Sequence, residues 1–486
     1  MAYRYGQDRN QMLLFPQSID QYVADDHPVR AYDAFVDTLD FDQLGIKLNA
    51  HKVGNSQYDP RLMLKLLLYS YSYGLKGSRK IERATHENIA FIWLMKNLKP
   101  DHKTIAEFRR KNKKALKRSL KLCARLCLKM DLIQGNVLFV DSTKIRAAAG
   151  KKHQHRKKWY QKQLKDVEQR INKLLADCER IDQDQADQGS WVKMPKELAS
   201  QKQLKATIEN ALDEFKTRGS HTKNGKERKV NRVDPDSSVM HSPQGTHPGY
   251  SVQNVVDDKN GLIVHADAVN DANDSDQFAD QVKAAHKVLD KDCQVACADA
   301  GYSDIEQLEK IESEKTQVIV PSKQQVSDKP PAPFNKTEFV YDKEHDCYRC
   351  PQGQRLIFRR YQDKEQTKRD YRIEKPCICR SCEHFGPCTN SKQGRTVTRH
   401  VSEELKDKIQ QRYEQDEGRQ IYERRKARVE HPFGYIKKVI GFGQFSMRGR
   451  QSAAAEASLV ATCFNLTRMI NLLGGVKGFI ARLQAA

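Results

Sequence analysis

The sequence predicts a mixed α/β protein: a core sheet preceded by helices, interrupted by two insertions and closed by further helices. Three observations predict it. Short apolar runs at 136–140, 249–256, 262–266, 294–298 and 317–320 end in polar turns, the mark of strands. The stretches 1–135 and 401–486 carry apolar residues at helical spacing. Two segments between the runs, 150–230 and 326–400, lack that patterning and read as insertions.

Residues 1–135 read as a helical region. Asp59 precedes Pro60, an N-cap followed by proline in the first turn, and Leu62, Leu66, Tyr69 and Tyr73 then share one helix face. Gly74 and Gly77 end that helix. Ser78 opens another, which carries Ile81, Ile89 and Trp93, and Pro100 breaks the chain again. Thr104 and Glu107 have the spacing of a capping box. The helix they open is apolar at Leu116, Leu120, Cys123, Cys127 and Met130, and its other faces are basic: 100–130 holds eleven Lys or Arg and two acids.

Residues 136–149 hold the first core strand, read over 136–145: a continuous apolar run at 136–140 that suits burial on both faces, followed by Asp141-Ser-Thr-Lys144. In 150–230, Leu164, Val167, Ile171 and Leu174 form one stripe and Leu204, Ile208, Leu212 and Phe215 a second, with Gly189 and Pro195 between. Two helices folded back as a hairpin account for this. Basic tracts at 151–158 and 223–229 flank it. Residues 231–325 return to the sheet: a strand from Gly249, a turn, a second strand from Leu262, a helix over 276–289, a third strand ending at Asp299 and a fourth stopped by Pro321. Residues 326–400 are rich in Pro, Lys and Cys and poor in large aliphatics, so a core there needs a metal or a neighbour. Residues 401–486 are helical.

Lys and Arg number 85 against 63 Asp and Glu among 486 residues, a net charge of +22. Such a surplus points to a polyanionic partner, in the first place nucleic acid. The opening residues carry no apolar run, so no secretory signal is expected. No stretch reaches the ~18 apolar residues of a membrane span: the most apolar, 453–473, contains Glu456, Asn465, Arg468 and Asn471. Six of the twelve cysteines (Cys347, Cys350, Cys377, Cys379, Cys382 and Cys388) fall within 42 residues. Paired CxxC spacing asks for structural Zn²⁺ rather than disulfides. The ligands would be Cys347, Cys350, Cys379 and Cys382, or Cys350, Cys379, Cys382 and Cys388. Reduced, unliganded thiols are the plainer alternative.

Asp141 and Asp299 each follow an apolar strand, and groups just past strand ends line the ligand crevice of an open sheet. Two carboxylates brought together repel unless a cation relieves them, and a hard ion such as Mg²⁺ binds oxygen ligands. Read plainly, each is a turn residue. The region 419–450 holds nine Lys or Arg and two acids, Glu423 and Glu430. Glu430, Phe433, Lys437 and Ile440 share a helix face. A Glu among cations stays ionised and able to hold a metal, while Arg and Lys hold phosphates. The plain reading is a solvated charged helix, broken or kinked near Glu430 by Pro432. His241, His247 and His265 lie near the core and are no more than candidates for an outer supporting role.

The set Val140-Asp141-Ser-Thr-Lys144, Gly249-Tyr-Ser-Val-Gln253, Ala298-Asp299-Ala-Gly-Tyr302 and Val429-Glu430-His-Pro-Phe-Gly434 with Lys437 resembles the DDE transposases of bacterial insertion sequences, in the branch with a Tyr-Arg-Glu-Lys signature. The stretch from Tyr58 to Arg109 resembles the helical domain before the core in many of them. The resemblance spans about residues 10 to 470 and implies an RNase H-like core. It implies Asp141, Asp299 and Glu430 as the acids holding Mg²⁺ or Mn²⁺, with Arg425 and Lys437 on phosphate and Tyr422 beside the cleaved end. Four residues separate Arg425 from Glu430 where the family has three, and Lys426 stands at the family's Arg spacing, so both are candidates. It further implies cleavage to a 3′-OH and strand transfer, binding of terminal inverted repeats and target duplex, a homodimer on DNA, and a cytoplasmic, nucleoid-associated protein. Two other readings stay open: a metal-dependent nuclease that does not join, and a zinc-stabilised DNA-binding protein without activity.

Overall fold

The computed structural model describes residues 18–48, 57–184, 196–222, 225–243 and 245–485. Gly189, Pro195 and the opening residues lie outside them. Seven helices come first: α1 (Pro28–Asp37), α2 (Phe41–Leu44), α3 (Pro60–Ser72), α4 (Ser78–Glu87), α5 (Ile89–Leu94), α6 (His102–Lys111) and α7 (Lys113–Lys129). Asp59 caps α3 through the Arg61 N–H with Pro60 in the first turn. Two expectations need correction here. One helix from Ser78 through Trp93 is instead two, because Asn88 leaves helical geometry and caps α5 through the Ala90 N–H. The Thr104–Glu107 capping box does not open a helix: Asp101, three residues earlier, caps α6 by accepting from the Thr104 N–H at 2.7 Å.

The principal sheet is built on β1 (Val137–Arg146). After it come the short ribbon β2 (Gln154–Arg156) and β3 (Lys229–Asn231), with helices α8 (Lys157–Asp184) and α9 (Lys196–Arg218) between them. These helices lie against each other around Val167, Ile171, Ile208, Ala211 and Phe215, a small core of their own. The sheet resumes with β4 (Ser238–Ser242), β5 (Gly245–Asp257) and β6 (Ile263–Val269); helix α10 (Phe278–Leu289) leads to β7 (Val295–Ala298), and α11 (Ile305–Glu309) to β8 (Gln317–Ile319). One edge of β5 pairs with β4 and then β6, and the other with β1, all antiparallel; β1–β7 and β7–β8 are parallel. The sheet is therefore mixed, with β1 at the change of direction. Strand β4 has no signature in the sequence.

Residues 340–400 form a second sheet, a five-stranded antiparallel meander of β9 (Val340–Asp342), β10 (Cys347–Arg349), β11 (Arg355–Tyr361), β12 (Lys368–Ile373) and β13 (Thr396–His400), with helix α12 (Pro376–Arg380) before the last strand. Its core is Phe339, Tyr348, Leu356, Tyr371, Ile373 and Val397. Aromatics supply the buried area that aliphatics do not.

The chain closes with α13 (Glu403–Glu414), α14 (Asp416–Lys438), α15 (Arg450–Leu472) and α16 (Val476–Gln484). Helix α15 is rich in Ala and Ser and packs against α3, α7 and β6. Its Asn465 accepts from the Ile263 N–H at 2.8 Å and donates to the Ile263 carbonyl at 2.7 Å, beside the register shift in the β5–β6 ladder. The side chain thus satisfies backbone groups that the irregular ladder leaves free. Buried residues of α1–α7, the principal sheet and α14–α16 form one continuous cluster. No single described helix is long and apolar enough to cross a membrane; α15 with α16 passes by composition as a bent pair, but α15 is a core helix here.

Pro432 does not break α14, contrary to the sequence expectation. Proline removes one N–H and crowds the carbonyl four residues back, which is that of Arg428. Burial of Val429, Pro432, Phe433 and Ile436 against the core outweighs that local cost.

Candidate active site

Asp141 lies within β1 rather than at its end, a correction to the sequence reading: β1 runs on to Arg146. The neighbour, not β1, is what stops. Parallel β7 pairs Val137 to Val140 with Val295 to Ala298 and then ends. Asp141 and Asp299 are the next residues on each strand, side by side at the point where the two diverge. Asp299 caps the short turn 300–302 by accepting from the Gly301 N–H at 2.7 Å.

Helix α14 covers this point. Arg425 Nη1 stands 3.4 Å from the Asp141 carboxylate, with side-chain exposures of 12% and 19%. Tyr422 lies beneath the guanidinium, 5.1 Å from ring centre to Cζ. Burial is the largest influence on Asp141 and pushes its pKa up; Arg425 and the Ser142 N–H pull it back, Asp299 and Asp274 add to the rise, and it settles at about 6. Burial also works against the Arg425 charge, but Asp141, Tyr422 and Asp299 outweigh it and hold its pKa above the ordinary value. Burial lowers the Lys437 pKa, and Asp141 partly opposes that. Burial raises the Tyr422 hydroxyl pKa, with Arg425 opposing and Asp299 adding.

Asp141, Asp299, Tyr422, Arg425 and Lys437 are thus brought into one neighbourhood. Glu430 and Lys426 are not. Both are exposed on α14, and neither makes a hydrogen bond or ion pair found among the described residues. Asp274 was missed by sequence reasoning. It accepts from Lys144 at 3.0 Å, Ser251 at 3.1 Å and Gln253 at 2.7 Å, and Gln253 in turn accepts from the Tyr302 hydroxyl at 2.6 Å. The only signal for it was the Asp-rich loop after β6, with Asp271, Asp274 and Asp276. The three candidate histidines do not reach Asp141 or Asp299 in any described contact. His241 is exposed on Thr246, His247 is buried on Ser242 at 2.9 Å, and burial lowers His265 to about 4.

In the second sheet, Cys350, Cys379, Cys382 and Cys388 line one cavity of about 40 Å³. Burial raises the Cys388 pKa; Arg395 opposes this and the other three thiols add to it. Cys347 does not line the cavity; it is fully buried within β10, opposite Ile357 and Asp342. Among the described residues no group of three or more His, Cys, Asp or Glu is arranged to hold a metal ion.

Two family models match. Residues 349–470 match a transposase DDE domain, and residues 17–111 match a transposase domain (DUF772). Over these two stretches the chain is similar to DDE transposases. The DDE-domain match covers β11 to β13, α13, α14 and most of α15, including Arg425, Glu430 and Lys437; β9, Asp141 and Asp299 fall outside it. No curated protein matches the chain. A solved piggyBac transposase synaptic complex with hairpin DNA aligns over 94% of this chain and 79% of that one, at 9% identity and a TM-score of 0.35.

Proposed function

We propose that this chain is a DDE transposase that cuts and joins DNA strands, with an RNase H-like core. Asp141, Asp299 and Glu430 are its acids. Arg425 and Lys437 hold the phosphate beside Tyr422, and exposed Lys426 tracks the DNA backbone. The observation that carries the reading is the register: two carboxylates side by side where β1 and β7 part, beneath a basic helix. A central strand antiparallel on one side and parallel on the other agrees with it.

The residues suit a divalent ion. Two carboxylates offer hard oxygens, and a third oxygen nearby, the buried Asn254 Oδ1, lacks a partner among the described residues. Glu430, on the exposed flank of α14, is free to turn toward a ligand. Mg²⁺ or Mn²⁺, when bound, supplies Lewis-acid polarisation of the phosphodiester and a more acidic attacking hydroxyl. The chain's own groups do the rest. Arg425 and Lys437 neutralise the phosphate oxygens. The oxygen of water attacks phosphorus, the bond to the 3′ oxygen breaks, and a 3′-OH is released; that hydroxyl then attacks a phosphorus of the target strand and displaces its 3′ oxygen.

The N-terminal helices with the basic stretch 100–130, and the basic tracts flanking α8 and α9, are proposed to bind terminal repeats and target duplex. Joining two ends requires two sites, hence a homodimer on DNA. Structural Zn²⁺ is proposed on Cys350, Cys379, Cys382 and Cys388, which must close in from their present spacing to ligate it.

The test is cleavage and joining of duplex DNA carrying the ends that flank the gene, with and without Mg²⁺, wild type beside Asp299→Asn. Metal-dependent nicking and joined product, absent in the variant, is the expected result. Nicking without joining favours the nuclease reading. Tight binding without cleavage by wild type overturns the enzymatic one.

A further inference from the structure

Asn254 of β5 is the residue paired with Asp141 across the β1–β5 ladder. Cross-strand partners present their side chains on the same face of a sheet, so the carboxamide and the carboxylate are neighbours. On its other side Asn254 pairs with Ala266 of β6, whose side chain offers no polar group. Asn254 is 1% exposed, and neither its Nδ2 nor its Oδ1 has a hydrogen-bond partner among the described residues. Arg425, whose Nη1 faces Asp141, has a buried Nε in the same condition.

A buried amide with both ends unpaired is destabilising, and a Leu of similar size would occupy the position without that penalty. Groups that break a folding rule in this way concentrate where a working complex supplies the missing partner. We infer that Asn254 is a positioning residue for Asp141. In the DNA complex its Nδ2–H donates to the Asp141 carboxylate and fixes that carboxylate's orientation, while its Oδ1 accepts from the O–H of a water beside it. Arg425 holds the carboxylate from the helix side and Asn254 from the sheet side. The inference rests on the assignment of Asp141 to the active site.

The experiment compares Asn254→Leu and Asn254→Asp with wild type and Asp141→Asn. It reads single-turnover nicking with Mg²⁺ across pH, DNA affinity, and Tm without metal. For Asn254→Leu the expected result is a Tm equal to or above wild type, DNA affinity retained, and nicking slowed by about tenfold or more, as loss of orientation predicts. The acid limb of its pH profile moves up, because Asp141 has lost a donor to its charged form. Asn254→Asp, a near-isostere, moves the same limb up through charge repulsion. Nicking by Asn254→Leu within about twofold of wild type, on an unshifted pH profile, overturns the inference. If Asn254→Leu does not fold, Asn254→Asp decides, and an unmoved limb overturns it. Undiminished nicking by Asp141→Asn overturns the active-site assignment and this inference with it; loss in Asp141→Asn with wild-type behaviour in both Asn254 variants overturns this inference alone.

Discussion

Replacing Asp141 with Asn should stabilise the metal-free protein above pH 6 and leave it unchanged below pH 4. Asp141 titrates near 6 in the folded chain, chiefly through burial, and near 3.9 in an unfolded one. A carboxyl whose folded pKa is raised contributes its full stability below the unfolded value. That stability is lost as pH rises through the folded value. A difference of about two pH units corresponds to roughly 3 kcal/mol, an upper estimate because the side chain keeps 19% of its exposure. Asn mimics the protonated form, so Asp141→Asn does not suffer the loss. If a chain of 486 residues unfolded in one step, its unfolding entropy would make 3 kcal/mol about 3 °C in Tm. The measurement is Tm of both proteins in EDTA from pH 4 to 8. The gap should open between pH 4 and 6 and stay open. Adding Mg²⁺ at pH 8 should then raise wild type more than the variant, because an ion bound only by the folded state stabilises it. A variant less stable than wild type at pH 8, or a gap that does not change with pH, refutes the reasoning.

Glu430→Gln should leave folding stability within about 0.5 kcal/mol of wild type, since the side chain is exposed, and abolish nicking in the single-turnover assay while duplex binding persists. Arg425→Ala should destabilise by about 1–3 kcal/mol at pH 8 and less at pH 5, because it strands the Asp141 charge; Lys426→Ala, at an exposed position, should be near neutral, and denaturant melts of the two separate these outcomes. Tyr71→Phe should cost about 1.5–3 kcal/mol: the buried hydroxyl donates to Glu456 at 2.7 Å and accepts from Arg109 at 3.0 Å, so its loss leaves charged groups short of a partner. Elemental analysis of the purified protein should find Zn²⁺ lost in Cys379→Ser and kept in Cys347→Ser.

Much of the principal sheet was legible because its strands are local signals. The runs before Asp141 and Asp299, the strand pair after Gly249 and the helix ending at Leu289 each announce themselves within a dozen residues. What could not be read is what depends on partners far along the chain. The strand read over 136–145 matches β1 to within a residue, but that Asp141 is an interior position of it, paired across to Asn254 rather than standing at its end, follows from the antiparallel pairing with β5, which continues to Arg146 opposite Gly249. The second sheet was hidden because strands such as Arg355–Tyr361 and Lys368–Ile373 are rich in charged residues and contribute only one or two core side chains each. Pro432 was misjudged for a related reason. The local rule was right about cost and blind to the apolar face that α14 buries.

The candidate site was half legible on the same grounds. Asp141 and Asp299 stood out because each follows an apolar run, but their adjacency is a property of register, which no window of sequence contains. The basic helix was visible as composition, yet only tertiary packing separates Arg425, turned inward onto Asp141, from Lys426 one residue on and exposed. Asp274 is marked only by its Asp-rich loop and Asn254 by nothing: one sits in an irregular loop, the other in the middle of a strand where any residue would be unremarked. Both become informative only through what surrounds them. Asp274 is fully satisfied, by Lys144, Ser251 and Gln253, as a structural anchor should be. Asn254, the more deeply buried of the two, has no hydrogen-bond partner among the described residues. Two polar side chains near one carboxylate, one saturated and one empty, are not interchangeable in a protein selected only for stability, and that asymmetry is what sets Asn254 apart as a group waiting on a ligand.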